Sequence, residues 1–229
     1  MTDFDLRSAV IDAAQRMTEL GLNGNNSGNV SAACERDGLA GFLITPTGVP
    51  YESLTPESIA WMPLSAKRAD EALGPLAPSS EWAMHREVYR ARKDARAVVH
   101  THSTYATALA CRGEAIPPFH YMVAVSGASA IPVVGYATFG SEALAARAGA
   151  AMKVVRAALL EHHGVLTCGG SLQAALSLAL EVEHLAHQYV IVKGLGDVRL
   201  IPADEMSRII EKFKTYGQMR KTGDVKEAP

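Results

Sequence analysis

The chain has 229 residues, 48% of them apolar and 20% charged, with 19 Gly and 11 Pro. That is the composition of one ordinary globular domain with a substantial core, which excludes disordered, collagenous and coiled-coil chains. Lys plus Arg number 22 against 24 Asp plus Glu, a formal net charge of −2. A near-neutral balance speaks against nucleic-acid binding, which draws its affinity from a basic surface.

The elements follow in chain order. From Asp3 to Leu20 the apolar positions Leu6, Val10, Ala13, Ala14, Met17 and Leu20 fall at steps of three and four, which predicts a helix, with Gly21 as its C′ residue. The segment GLNGNNSGNVS is too rich in Gly and Asn for regular structure before Val30, and GFLITPTGVP predicts an apolar strand entering a Pro-Thr-Gly turn. Ser79 or Ser80 is expected to cap a helix running to about Arg92. ARAVVHTH then reads as a strand ending in histidines, and STYATALA as helix. YMVAV, AIPVV and GVLTC predict short buried strands, with a helix capped by Ser141 among them. A long helix is expected from about Ser171 to Lys193 and a last one from Asp204 to about Tyr216, so the whole is a layered α/β domain without a regular βαβ repeat. Residues 1–217 form the expected domain and 218–229 a polar tail.

Cys34, Cys111 and Cys168 are scattered and odd in number, which fits neither a disulfide framework nor a cysteine zinc site. The first residues carry no basic and then apolar leader, and no apolar run approaches the roughly 18 residues of a membrane span. A cytoplasmic, reducing location is the expectation, with no membrane partner.

Chemistry concentrates in three segments. In Ala97 to His102, His100 and His102 are two apart on a strand and project to the same side, as two imidazoles sharing one metal ion must. His163, in LLEHHGVL, is a third candidate beside a glycine, and three imidazoles leave zinc an open position for catalysis. Glu81 stands behind two serines at a helix start, where free backbone amides would hold its carboxylate within reach of an ion or a substrate proton. Spacing by itself does not bring these residues together. His162 and His120 read as residues that pack or support a ligand from behind, His85 as helix packing, and Glu181, Glu183, His184 and His187 as a solvated helix face or i, i+3 pairs. Trp82, Tyr89 and Tyr105 read as core, Cys168 as a buried hydrophobe, and Lys153 as a helix-end charge rather than a Schiff-base lysine.

Eight segments in order, GNNSGNVS, ITPTGVPYESLT, PSSEWAMHREVY, AVVHTHS, HYMVAVSG, PVVGYATFG, LLEHHGVLTCG and EKFKTYG, together resemble the class II aldolase and adducin family over nearly the whole chain. The resemblance implies a single-domain, three-layer αβα fold on a mainly antiparallel sheet, and a cyclic homotetramer with active sites between subunits. It implies one zinc per subunit, replaceable by cobalt or manganese, on His100, His102 and His163, with Glu81 ligating the metal at rest and moving protons during turnover. The phosphate of a small sugar phosphate is expected at Gly28 and Asn29, at Thr47 and Gly48, and at Ser79 and Ser80, since glycine turns and helix N-termini present N–H groups to a dianion. Tyr121 matches a tyrosine that serves the neighbouring subunit's site as proton donor, and Tyr216 a C-terminal tyrosine that covers the substrate. Asn26 and Ser27 depart from the family's first phosphate loop.

The activity implied is reversible cleavage of a ketose 1-phosphate, L-fuculose 1-phosphate or similar, to dihydroxyacetone phosphate and an aldehyde such as L-lactaldehyde. Cleavage of a 5-deoxy- or 5-methylthio-ribulose 1-phosphate needs the same machinery and a different aldehyde pocket. A pentulose-phosphate 4-epimerase and a methylthioribulose-1-phosphate dehydratase share the fold, although the epimerase counterpart of Glu81 is characteristically Asp. An adducin-type scaffold would not need Glu81, His100, His102 and His163 together.

Overall fold

The computed structural model describes residues 2–24 and 27–214. Helix α1 (Asp3–Glu19) starts at Thr2 with a capping box to Asp5 and ends at Leu20, after which Gly21 takes φ +70°, the left-handed turn expected of a C′ glycine. Strands β1 (Asn29–Arg36), β2 (Leu39–Ile44) and β3 (Ala60–Pro63) form an antiparallel ladder. Helix α2 (Trp82–Ala91) leads to β4 (Ala97–Thr101) and α3 (Thr104–Cys111). The two-residue β5 (Val133–Val134), α4 (Glu142–Met152), β6 (Ala157–Leu160), β7 (Gly164–Gly169), α5 (Leu172–Gly194) and α6 (Ala203–Phe213) complete the described elements.

The seven strands lie in the order β3-β2-β1-β4-β7-β6-β5, and every pairing is antiparallel except β5 with β6. Alternation along the strands sends side chains to opposite faces. Phe42, Met62, Val98 and Leu166 pack under α2 and α4, whereas Val30, Leu43, Val99 and Val165 pack under α1, α3 and α5. Helices on both faces of one sheet make the three-layer αβα sandwich that the resemblance implies.

Two local expectations are corrected. YMVAV is not a strand but a 3-10 turn, Tyr121–Ser126, started by the His120 ring accepting from the Met122 amide and closed by Gly127 at φ +85°. The sheet edge that it might have joined is taken by β5 on β6, so its apolar residues fill the core beside α3 and α5 instead. The cap of α2 is Glu81, not a serine, and Ser79 Oγ accepts the Glu81 amide at 3.3 Å. The tail 218–229 and Tyr216 lie outside the described residues.

β4 sits in the middle of the sheet between β1 and β7, which places its C-terminal end against both neighbours. Phe42 is fully buried under α2, its ring 5.3 Å from that of Tyr89. Phe42→Ala is expected to lower unfolding free energy by about 3–5 kcal/mol in a urea titration, and a loss below about 1 kcal/mol would contradict this packing.

Candidate active site

The site grows from the end of β4. The register pairs His100 with Asn29 of β1 on one side and with Leu166 of β7 on the other. His100 projects toward α2, and His102, two residues on and just past the strand, follows it to the same side. His163 arrives from the turn between β6 and β7, where His162 adopts φ +55° and the His163 amide bonds Leu160 O at 3.0 Å. The three rings stand edge to face, with centroids 4.8, 4.8 and 5.1 Å apart.

Close approach of three chain segments needs residues without side chains. A Cβ on Gly164 would lie 2.3 Å from Thr101 O and 2.9 Å from the His102 ring, and one on Gly28 would lie 2.2 Å from Asn23 Nδ2 and 2.4 Å from His100 O. Asn23 Oδ1 accepts the His102 amide at 2.8 Å, which ties the loop before β1 to the second histidine. The Tyr51 hydroxyl donates to Gly28 O, pinning the same loop from beneath.

Glu81 is 5% exposed and turned toward the sheet, so the expectation that backbone amides at the helix start hold its carboxylate is corrected: it makes no capping bond. Its Oε2 lies 2.9 Å from His100 Nε2 and accepts from Asn29 Nδ2 at 3.4 Å, while its Oε1 lies 3.4 Å from His163 Nε2 with no hydrogen-bond partner.

The tautomer of His100 follows from its neighbour. Val165 O can only accept, so His100 Nδ1–H donates to it at 2.8 Å and the ring offers its Nε2 lone pair to the site. That Nε2 faces His102 Nε2 at 2.9 Å and the Glu81 carboxylate at the same distance. A cation between them would relieve so close a convergence. Burial pushes the pKa values of His102 and His163 down to about 4, with the charge of His100 adding to the effect, so both are neutral donors of lone pairs at pH 7. Burial works against ionisation of Glu81, but the charge and hydrogen bond of His100, with His163 and Asn29, overcome it and hold the carboxyl well below the usual range. Burial likewise opposes charge on His100, yet Glu81 raises its pKa. The donor set of three imidazoles and a carboxylate, with ring ligand atoms within 4.8 Å of one another, fits a divalent cation.

Beside the histidines opens a cleft of about 370 Å³. Gly28, Asn29, Thr47, Gly48, Ser79 and Ser80, all expected at a phosphate, line one end of it together with Ser27, and Tyr136, Phe139 and His162 line it as well. The Thr47 amide is spent on Ala77 O and the Ser79 amide on Thr45 O, so these two residues offer hydroxyls rather than backbone N–H groups. His162, expected to pack or to support the ligand beside it, lines the cleft with its ring near-perpendicular to that of Tyr136, 5.9 Å between centroids; the positive-φ turn that places it there leaves no mark in strand periodicity. Tyr121, half exposed, is not among the residues lining this cleft and packs beside His120 and Phe213. A larger hollow of about 550 Å³ lies at the opposite end of β4 and β7 around Arg92, Arg156 and Cys168, with no histidine in its lining.

One of the quieter readings is corrected: Glu183 does not lie on a solvated face but is half-buried and accepts the Tyr105 and Ala106 amides at the start of α3, while the exposed His187 stacks on Tyr105 at 3.8 Å. Trp82 and Tyr89 are buried, and burial pushes the Cys168 thiol up to about 11. Lys153 closes α4 and is not among the residues lining the cleft.

The family model described as Class II Aldolase and Adducin N-terminal domain matches residues 8–190, and this chain belongs to that family as a metal-dependent class II ketose-1-phosphate aldolase. It is 47% identical over 212 residues to a 5-methylthioribulose-1-phosphate/5-deoxyribulose-1-phosphate aldolase of Rhodospirillum rubrum, spanning 93% of this chain and 92% of that protein. It is 44% identical over 218 residues to the L-fuculose phosphate aldolase of Haemophilus influenzae, spanning 95% and 97%. A solved structure of L-fuculose 1-phosphate aldolase superposes with a TM-score of 0.86 at 36% identity, covering 93% of this chain and 98% of that one.

His100→Ala removes the ligand that touches both other members of the cluster and is expected to lower bound divalent metal from about one per chain to below about 0.1, measured by elemental analysis after gel filtration. Full metal occupancy in this variant would displace the site from these residues.

Proposed function

We propose that this chain reversibly cleaves a 5-deoxy- or 5-methylthio-pentulose 1-phosphate between C3 and C4, giving dihydroxyacetone phosphate and a small apolar aldehyde, with zinc as the resident metal. The observation that carries this reading is the meeting, in one cleft, of three histidines and a buried carboxylate with two glycine turns and two serines suited to a phosphate.

The chain's own residues divide the work. His100, His102 and His163 would hold the metal, with Glu81 as the fourth ligand at rest. When bound, zinc supplies Lewis acidity where negative charge develops on the ketose oxygens. No Lys or Arg is among the described residues lining the cleft, and the phosphate is bound by the hydroxyls of Thr47, Ser79 and Ser80, by the amides of the Gly28 and Gly48 turns and by the start of α2. During cleavage the C4 hydroxyl gives its proton to Tyr121 of a neighbouring copy, acting as its phenolate, as the C3–C4 bond breaks and the electron pair stays with the phosphorylated fragment. Glu81, ionised at rest, takes up a solvent proton and delivers it to C3, and the Tyr121 phenol returns its proton to solvent, so the net change is one proton from O4 to C3; condensation runs the same transfers backward. The exposure of Tyr121, which is not among the residues lining its own cleft, supports a role across a subunit boundary in a cyclic homotetramer. Tyr216, which the family resemblance assigns to covering the substrate, has this role in the proposal as well.

The aromatic side chains of Tyr136 and Phe139 are 54% and 68% exposed and offer an apolar wall at the cleft. A methyl or methylthio terminus fits such a wall. The first relative above supports the five-carbon sugars, while the Haemophilus influenzae relative and the superposed structure support L-fuculose 1-phosphate as the second reading. Three free thiols fit a reducing, cytoplasmic location, and among the described residues no helix is long and apolar enough to cross a membrane.

Dihydroxyacetone phosphate release should be compared from 5-deoxyribulose, 5-methylthioribulose and L-fuculose 1-phosphates. A kcat/KM at least about tenfold higher for one of the five-carbon substrates is expected, and the reverse order would transfer the assignment to L-fuculose 1-phosphate. Glu81→Gln is expected to keep metal and lower kcat by about 100-fold or more, whereas a rate near wild type would remove Glu81 from proton transfer.

A further inference from the structure

The helix that presents Glu81 also carries His85 one turn on and Tyr89 a turn further, and both face β1. His85 is fully enclosed, yet both of its ring nitrogens are occupied: Nδ1 lies 2.7 Å from Ser31 Oγ, and Nε2 lies 2.5 Å from Asn29 Oδ1. Ser31 Oγ also lies 2.7 Å from the Tyr89 hydroxyl, and Asn29 Nδ2 reaches the Glu81 carboxylate. The result is an unbroken buried chain from Tyr89 through Ser31, His85 and Asn29 to Glu81.

The direction of every bond in the chain follows from its last member. An ionised carboxylate can only accept, so the Asn29 amide nitrogen must face it and the Asn29 oxygen must face His85. His85 Nε2 therefore carries the proton, its Nδ1 accepts from the Ser31 hydroxyl, and Ser31 accepts from Tyr89. Burial, with the nearby charge of His100, keeps the ring pKa down at about 3, consistent with a neutral imidazole. Reversing the Asn29 amide would set its oxygen against Glu81 and break the chain at two places. Asn29 Nδ2 has a second hydrogen, and Asn29 lines the cleft beside Gly28 at the phosphate end.

We propose that His85 is a positioning residue whose Nε2–H, locked by Ser31 and Tyr89, holds the Asn29 carboxamide so that its NH2 serves Glu81 and the substrate phosphate together. The inference rests on the proposed function, in which Glu81 carries the C3 proton and Asn29 sits at the phosphate. It makes phosphate binding and orientation of the carboxylate one coupled event, set from the buried side of the sheet by residues that touch neither substrate nor metal.

The test uses the metal-loaded enzyme and its variants His85→Leu and His85→Gln, with inorganic phosphate as the binding probe. His85→Leu is expected to keep about one metal per chain and a cooperative melting transition, while kcat falls about tenfold or more and the phosphate Kd rises at least about fivefold. Gln places an amide NH2 where Nε2 lies, and His85→Gln is expected to recover both to within about threefold of wild type. A folded His85→Leu with kcat and phosphate Kd within twofold of wild type would overturn the proposal, as would equal losses in both variants. Long-range 15N–1H correlation on the wild-type protein decides the matter even if the leucine variant does not fold: an Nε2–H tautomer is expected for His85, and an Nδ1–H ring or a cation overturns it. Should the wild type cleave none of the three sugar phosphates, the proposed function falls, while the tautomer and the phosphate Kd still judge this inference.

Discussion

The structure is organised around the convergence of acceptor groups at the C-terminal end of β4. His100, tied at Nδ1 to a carbonyl, turns its other nitrogen toward His102 and a buried carboxylate, each 2.9 Å away. In a protein interior such an arrangement is costly unless a cation lies among the acceptors. Glu81 raises the pKa of His100 in the protein alone, while a divalent ion on His100, His102 and His163 would take up their lone pairs together, which would couple the site's stability to its loading.

The sheet order gives this convergence its place. With β4 between β1 and β7, one strand end meets the loop before β1, the turn before β7 and the start of α2. Gly28 and Gly164 let the backbones approach where any side chain would collide, and Asn23 and Tyr51 fasten the first loop from outside the cleft. The same loop leads into Gly28 and Asn29, which line the cleft, so one piece of chain both fastens the second histidine and borders the cleft. The apolar layers beneath α2 and α4, and beneath α1, α3 and α5, hold these strands in register.

Much of this was legible in the amino-acid sequence because local rules dominate there. The 3.6 period and Gly21 mark α1, the alternation in AVVHTH puts His100 and His102 on one side, and Ser141 caps its helix. YMVAV misled because β-branched and aromatic residues report burial rather than pairing, and the available edge belonged to β5. β3 is four residues long and carries too little periodicity to stand out. The meeting of His163 and Glu81 with the other histidines came from the ordered motifs, not from spacing. The chain through Asn29, Ser31 and His85 escaped notice because each member satisfies an ordinary local reading, and its polarity exists only once β1 and α2 are in contact.

The central claim is that three histidines and Glu81 form one metal centre on which activity depends. Its most direct measurement is titration of chelator-stripped protein with zinc while following both bound metal and release of dihydroxyacetone phosphate from the best of the three substrates. The account predicts that both rise together and break at one equivalent per chain. Full activity in the stripped protein, or stoichiometric zinc binding that restores none, would contradict it.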